Sequence, residues 1–126
     1  MTQQFFVPGP LPGLNEILNA AKGRKGRFAY GRMKSGWDAA IVAHIRAARV
    51  QPIDCARLRF EWREGLKRDR DNIAVGKKFI CDALVKAGVL PNDSAAHVVG
   101  FSDDFSLDRK RPGVLVTLES VLPSAA

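Results

Sequence analysis

The stretch "RLRFEWREGLKRDRDNIAVGKKFICDALVKAG", Arg57 to Gly88, decides the fold. Its first eight residues alternate. Leu58, Phe60 and Trp62 point one way and Arg57, Arg59, Glu61 and Arg63 the other, the period of a half-buried strand. From about Ile73 to Ala87 the period changes. Ile73, Gly76, Ile80, Ala83, Leu84 and Ala87 line one face of a helix. Gly88 stands where a left-handed residue ends such a helix, and Pro91 follows. A strand therefore runs into a helix, with Asp69 and Asp71 at the junction. At a period of two, both carboxylates face the same side. A helix cap accounts for one acidic residue there, not for two.

Upstream, Met33, Trp37, Ala40, Ile41, His44, Ile45 and Ala48 recur at three- and four-residue intervals, predicting a helix over 33–50. Ser35 and Asp38 resemble a capping box at its start, and Pro52 bars its continuation. Gln3–Val7 reads as an opening or edge strand that ends in the turn PGPLPG. Asn15–Ala21 reads as a short helical turn. "KGRKGRFAYGRMK", Lys22–Lys34, is too rich in glycine for a stable helix and reads as a mobile basic loop. Downstream, His97–Phe101 and Gly113–Val121 read as two strands joined by "DDFSLDRKRP" as a hairpin loop. The expected fold is α/β (α+β). It is a single domain over 1–126 with a mixed sheet of about four strands, two main helices packed on it, and the order β-α-β-α-β-β.

The chain has 126 residues, the usual size of one domain, and 46% hydrophobic residues, enough for one modest core. No run of about 18 apolar residues is present, so no membrane span is expected. The opening residues lack the basic and apolar regions of a signal peptide, which predicts a cytoplasmic protein. Cys55 and Cys81 lie far apart and read as reduced, semi-buried thiols. Twenty Lys and Arg against 13 Asp and Glu give a net charge of +7, with a pI near 9.9. That balance points to nucleic acid, although small basic proteins that bind polyanions loosely share it.

The chemistry is carried by acids set among these bases. Lys78 and Asp82 are four apart and neighbours on the predicted helix, on the side away from Ile80 and Leu84. An exposed ion pair explains them equally well, and Asp82 is equally placed to pair with Lys86. In "LPND", Asp93 begins the return to the sheet, where it can rejoin Asp69 and Asp71. Three carboxylates among bases suit Mg²⁺, a hard cation that takes oxygen ligands and bridges protein to phosphate. Capping and surface pairing account for the same residues without a metal. In the basic loop, Arg24, Lys25, Arg27 and Arg32 are candidate phosphate contacts. Phe28 and Tyr30 either stack on an unpaired base or pack the loop onto the domain. His44 lies within the apolar periodicity and His97 starts a strand. No zinc-ligand spacing, GxSxG, P-loop or Rossmann fingerprint occurs, so no organic cofactor is expected.

"RDRDNIAVGKKFICDALVKAGVLPND" resembles the core motif of the RusA-like Holliday junction resolvases of bacteria and their phages. The shared features are Asp-x-Asp-Asn, a lysine, Asp-Ala-Leu, a glycine and an acidic turn. "VPGPLPGLNE" and the closing "GVLVTL" extend the likeness over nearly the whole chain. The resemblance implies a Mg²⁺-dependent endodeoxyribonuclease, with Mn²⁺ as a substitute metal, that nicks four-way DNA symmetrically in recombination and repair. It implies Asp69, Asp71 and Asp93 as metal-binding catalytic residues and Lys78 as the catalytic lysine. The partners it implies are branched DNA and a second copy of the chain in a homodimer. Two departures are visible. The stretch from Asn72 to Asp82 is about three residues longer than in the best-known members, which makes Lys77, otherwise a DNA contact, a rival to Lys78. The acidic pair is Asn92–Asp93, with an amide in the first position. Asp82 matches a recurrent acidic position of unassigned role. The competing readings are a non-catalytic basic DNA-binding protein and a nuclease that acts on flaps, forks or RNA.

Overall fold

A computed structural model describes residues 1–23 and 25–121. Arg24, one of the expected phosphate contacts, lies outside the described residues. The elements are β1 (Thr2–Pro8), α1 (Leu14–Ala21), α2 (Gly26–Ala47), β2 (Ala56–Glu64), α3 (Arg70–Ala74), α4 (Lys77–Lys86), β3 (Val98–Leu107) and β4 (Gly113–Ser120). They form a small mixed α+β domain on a four-stranded sheet of order β1-β4-β2-β3. β4 is antiparallel to both β1 and β2, whereas β2 and β3 are parallel. Among the described residues, no helix is long and apolar enough to cross a membrane.

The alternation in β2 places Leu58, Phe60 and Trp62 in the core and leaves Arg57 and Arg59 exposed. Phe5 and Val7 of β1 and Val114, Val116 and Leu118 of β4 join the same face. Ile41 and Ile45 of α2 and Phe79, Ile80, Ala83 and Leu84 of α4 close over it. At about 25 cal/mol per Å² of apolar surface removed from water, this single layer is the main source of stability. Both Cys55 and Cys81 are buried free thiols.

Three expectations about the elements are corrected. The glycine-rich segment is not a loop: α2 begins at Gly26 and runs 22 residues. Gly31 and Gly36 cost the helix about 1 kcal/mol each. The i, i+4 stripe of Met33, Trp37, Ile41 and Ile45, packed on the core, outweighs that cost. Gly26 is demanded by tertiary contact, because a Cβ there would collide with the Ala21 carbonyl oxygen at the end of α1. Ser35 and Asp38 are consequently mid-helix and cap nothing.

The helix expected over 73–87 is broken into α3 and α4. Gly76 stands between them, and a Cβ on it would lie 3.3 Å from the Leu11 Cβ. Its C-terminus closes as expected: the Gly88 and Val89 N–H groups donate to the Val85 and Leu84 carbonyls at 3.0 and 2.9 Å.

The final two strands are not a hairpin. β3 continues through Leu107 in parallel register with β2, so Glu64 pairs with Leu107. β2 lies between β3 and β4, and the connecting loop crosses its end. Nine residue pairs in parallel register satisfy backbone groups that a loop would leave to water.

Buried ion pairing locks α2 to α4. Asp38 is 5% exposed. Its carboxylate accepts from Lys34 at 2.7 Å and from Lys86. Burial alone would raise its pKa, but the two lysines outweigh it and hold the carboxyl below its ordinary value. Burial would lower the Lys34 pKa; hydrogen bonds to Asp38 and Asp82 outweigh it and raise the value. A carboxyl lowered on folding stabilises fully above the unfolded value near 3.8 and loses that contribution as pH falls through the folded one. A raised lysine stabilises below 10.5 and loses its contribution as pH climbs past the folded value. Urea midpoints are therefore expected to fall below about pH 4. Asp38→Asn should cost about 2 kcal/mol near neutrality and flatten that acid dependence. An equally steep acid limb in the variant would refute the assignment.

Candidate functional site

β2 delivers the chain to the candidate site. Asp69 occupies the N-cap position of α3 with extended backbone (φ −64°, ψ 138°), yet its side chain makes no capping hydrogen bond. Asp71, in the first turn, accepts among the described residues only from the N–H of its own neighbour, Asn72, at 2.9 Å. Both are exposed. Capping thus accounts for neither carboxylate. The residue with a clear structural task is Asn72, whose side-chain oxygen accepts the Asn15 N–H at 3.0 Å and caps the start of α1. Nothing in the local sequence signals that contact across 57 positions.

The second half of the site forms on the first turns of α4. Lys78 Nζ lies 3.1 Å from Asp82 Oδ1, the expected i, i+4 pair, and 3.1 Å from Asp93 Oδ2. Asp82 turns its other oxygen to Lys34, at 3.0 Å. Lys86, the alternative partner for Asp82, pairs with Asp38 instead. A chain of alternating charge therefore runs Lys86–Asp38–Lys34–Asp82–Lys78–Asp93, from the buried α2–α4 contact to the surface. Asp82, unassigned from sequence, is the link that orients Lys78. The hydrogen bond that Lys78 donates to Asp82, and then the one it donates to Asp93, raises the Lys78 pKa.

The two lysines part company. Lys77 Nζ is 2.7 Å from Asp103 Oδ2 and sits 4.7 Å and 5.5 Å from the ring centres of Phe101 and Phe60. Asp103 is itself held by the Trp62 Nε1–H at 2.9 Å. The Lys77 side chain is 22% exposed and that of Lys78 is 66% exposed. Lys78 is the more solvent-exposed of the two. Both border a cavity of about 300 Å³ lined by Val75, Cys81, Asp93 and Phe101. Burial first, then the Asp93 and Asp82 carboxylates, push the Cys81 thiol up to about 11. It is therefore neutral near pH 7 and unsuited to nucleophilic chemistry.

No family model matches this chain, and no curated protein matches it.

Among the described residues, no group of three or more His, Cys, Asp or Glu side chains is arranged to hold a metal ion. The structure brings Lys78, Asp82 and Asp93 together and sets Asp69 and Asp71 at the head of α3. The donors are chemically suited to a hard divalent cation: carboxylate oxygens, two of them uncommitted to helix caps. Of the other expected contacts, Lys25, Arg27 and Arg32 are exposed around the start of α2, Lys25 at its N-cap and the two arginines on the helix instead of a mobile loop. Phe28 is 63% exposed, with Arg27 5.6 Å from its ring centre, so it does not pack onto the domain. Tyr30 is half-buried. His44 is partly buried on α2, as its position in the apolar pattern predicts.

Proposed function

We propose that this protein is a Mg²⁺-dependent, structure-selective endodeoxyribonuclease that nicks four-way DNA junctions. The observation that carries the reading is the meeting of Lys78 with Asp93, fifteen residues apart, in a chain of net positive charge whose Asp69 and Asp71 stand at the head of α3 with no capping hydrogen bond from Asp69. It adds a spatial argument to the resemblance of Asp69 through Asp93 to the RusA-like motif.

Asp69, Asp71 and Asp93 would hold the metal. When bound, it supplies Lewis acidity toward the scissile phosphate and a more acidic water. Lys78, charged and fixed by Asp82, places a cation where negative charge accumulates on the phosphate. Because its pKa is raised, it stabilises charge and accepts no proton near pH 7. Lys25, Arg27 and Arg32 hold phosphates outside the reacting centre, with affinity that falls steeply with salt. Action in recombination and repair and on two strands by a homodimer belongs to the same proposal. So do Mn²⁺ as a substitute metal and a cytoplasmic location.

Purified protein with a labelled four-way junction and a matched duplex tests the reading. Paired symmetric nicks are expected on the junction only, and only with Mg²⁺. Lys78→Ala should lower the rate by about 10²-fold or more. Lys77→Ala should weaken folding through Asp103 and change the rate far less. Binding with no cleavage under Mg²⁺ or Mn²⁺ would sink the catalytic reading. Equal losses at both lysines would sink the division of roles.

A further inference from the structure

The β3–β4 loop, residues 108–112, carries Arg109, Lys110 and Arg111, and the site described above makes no use of it. Its one acid is turned inward. The Asp108 Oδ1 accepts the Lys110 and Arg111 N–H groups at 3.1 and 3.0 Å. The Asp108 N–H donates to the Glu64 carbonyl at 2.8 Å, and the Gly9 N–H to the Pro112 carbonyl at 2.8 Å. The loop backbone is thus tied to the ends of β2 and β1. All three basic side chains are exposed, and among the described residues none is in an ion pair. The Arg111 guanidinium is braced over the Phe6 ring, 4.8 Å from its centre.

The placement of the loop matters as much as its charge. β2 and β3 are parallel, and Glu64 pairs with Leu107, so the loops that follow them leave the same end of the sheet. The loop after β2 carries exposed Lys67 and Asp69, and exposed Arg70 opens α3. The two loops lie close together: a Cβ added at Gly65 would stand 3.8 Å from the Pro112 ring. Loops beyond the carboxyl ends of parallel strands are where ligands gather in such sheets. Here a rigid basic loop stands beside the Asp69 turn, forty residues away in sequence.

We propose that Arg109, Lys110 and Arg111, with Lys67 and Arg70 opposite, form a phosphate-binding edge. It holds the nucleic-acid backbone across the sheet end, next to Asp69 and Asp71. The partner is recognised by its phosphates and not by its bases, because long cationic side chains on a fixed backbone neutralise charge without reading sequence. The inference rests on the DNA reading proposed above, and it names a surface separate from α2.

Metal-free binding separates the two. Anisotropy of a labelled four-way junction would be followed from about 50 to 200 mM salt. Arg109→Ala with Lys110→Ala keeps Asp108, Arg111 and every backbone hydrogen bond of the loop, so thermal stability should hold. The plot of log affinity against log salt should become shallower by about 1.8, the loss of two phosphate contacts. Affinity at low salt should drop about tenfold. Arg46→Ala with Arg57→Ala removes the same net charge near the opposite end of the sheet and should leave the slope within about 0.5 of wild type. An unchanged slope in the loop variant, or an equal change in the control pair, overturns the phosphate-binding edge. Wild-type protein that binds no DNA overturns this inference and the parent reading together.

Discussion

Asp71→Asn is expected to cut Mg²⁺-dependent nicking of a four-way junction by at least about 10²-fold, with junction binding retained. The substitution is close to isosteric. Asp71 is exposed, and its one hydrogen bond among the described residues is accepted from the Asn72 N–H at 2.9 Å. An asparagine side-chain oxygen accepts the same bond, so α3 and the Asn72 cap on α1 should survive. What disappears is one negative charge of the proposed metal set. A neutral amide binds a hard dication far more weakly than a carboxylate. Removing an acid from a surface of net positive charge should tighten DNA binding slightly, not weaken it. The two readouts therefore move in opposite directions, a pattern that misfolding would not produce. A variant that cleaves at the wild-type rate would leave Asp71 without a catalytic role and favour the non-catalytic DNA-binding reading.

Trp62→Ala should be the most damaging single change to stability, at about 3–5 kcal/mol. Trp62 is 1% exposed and is among the largest fully buried side chains. Its ring stacks on Phe60 with centroids 5.3 Å apart and planes 13° from parallel. Its Nε1–H donates to Asp103 at 2.9 Å, and Asp103 in turn holds Lys77 at 2.7 Å. Truncation opens a cavity and removes one anchor of the α4–β3 contact at once. A domain of this size has only about 5–15 kcal/mol of total stability, so the variant should melt roughly 10–20 °C lower. Trp62→Phe separates the causes. It retains most of the packing and loses the donor, and should cost about 1–2 kcal/mol. A Trp62→Phe cost equal to that of Trp62→Ala would mean that the hydrogen bond, not the ring, dominates.

Legibility followed the range of the forces involved. β2 was readable because a side chain's face follows from its parity alone, and the burial of Leu58, Phe60 and Trp62 matches that parity. The close of α4 was readable because Gly88 and the carbonyls it satisfies lie within one turn. The Lys78–Asp82 pair was readable from a spacing of four. Errors arose where long-range packing overrode local propensity. Gly23, Gly26 and Gly31 argued for a loop, but the start of α2 is set by its closeness to α1 and by the apolar stripe farther along. Gly76 sat on an apolar face in the pattern, yet it breaks the helix where Leu11 approaches. β3 and β4 looked like a hairpin because they are consecutive, and the pairing of β2 between them is not a local property.

At the candidate site the same division holds. Sequence by itself determined the basic character of the chain, the strand-to-helix junction, and the presence there of Asp69 and Asp71 with Lys78 one helix later. Those follow from composition and from periods of two and 3.6, which each residue obeys without reference to distant partners. Tertiary structure alone decided that Lys78 meets Asp93 while Lys77 is taken up by Asp103 and two aromatic rings. It alone made Asp82 the bridge from Lys34 to Lys78, and it alone set the 108–112 loop beside the Asp69 turn. Apart from the Lys78–Asp82 half of that bridge, which lies within α4, each of these contacts joins distant parts of the chain. Their distances depend on sheet order and helix packing, which are fixed by the burial of the whole core and not by any window of sequence.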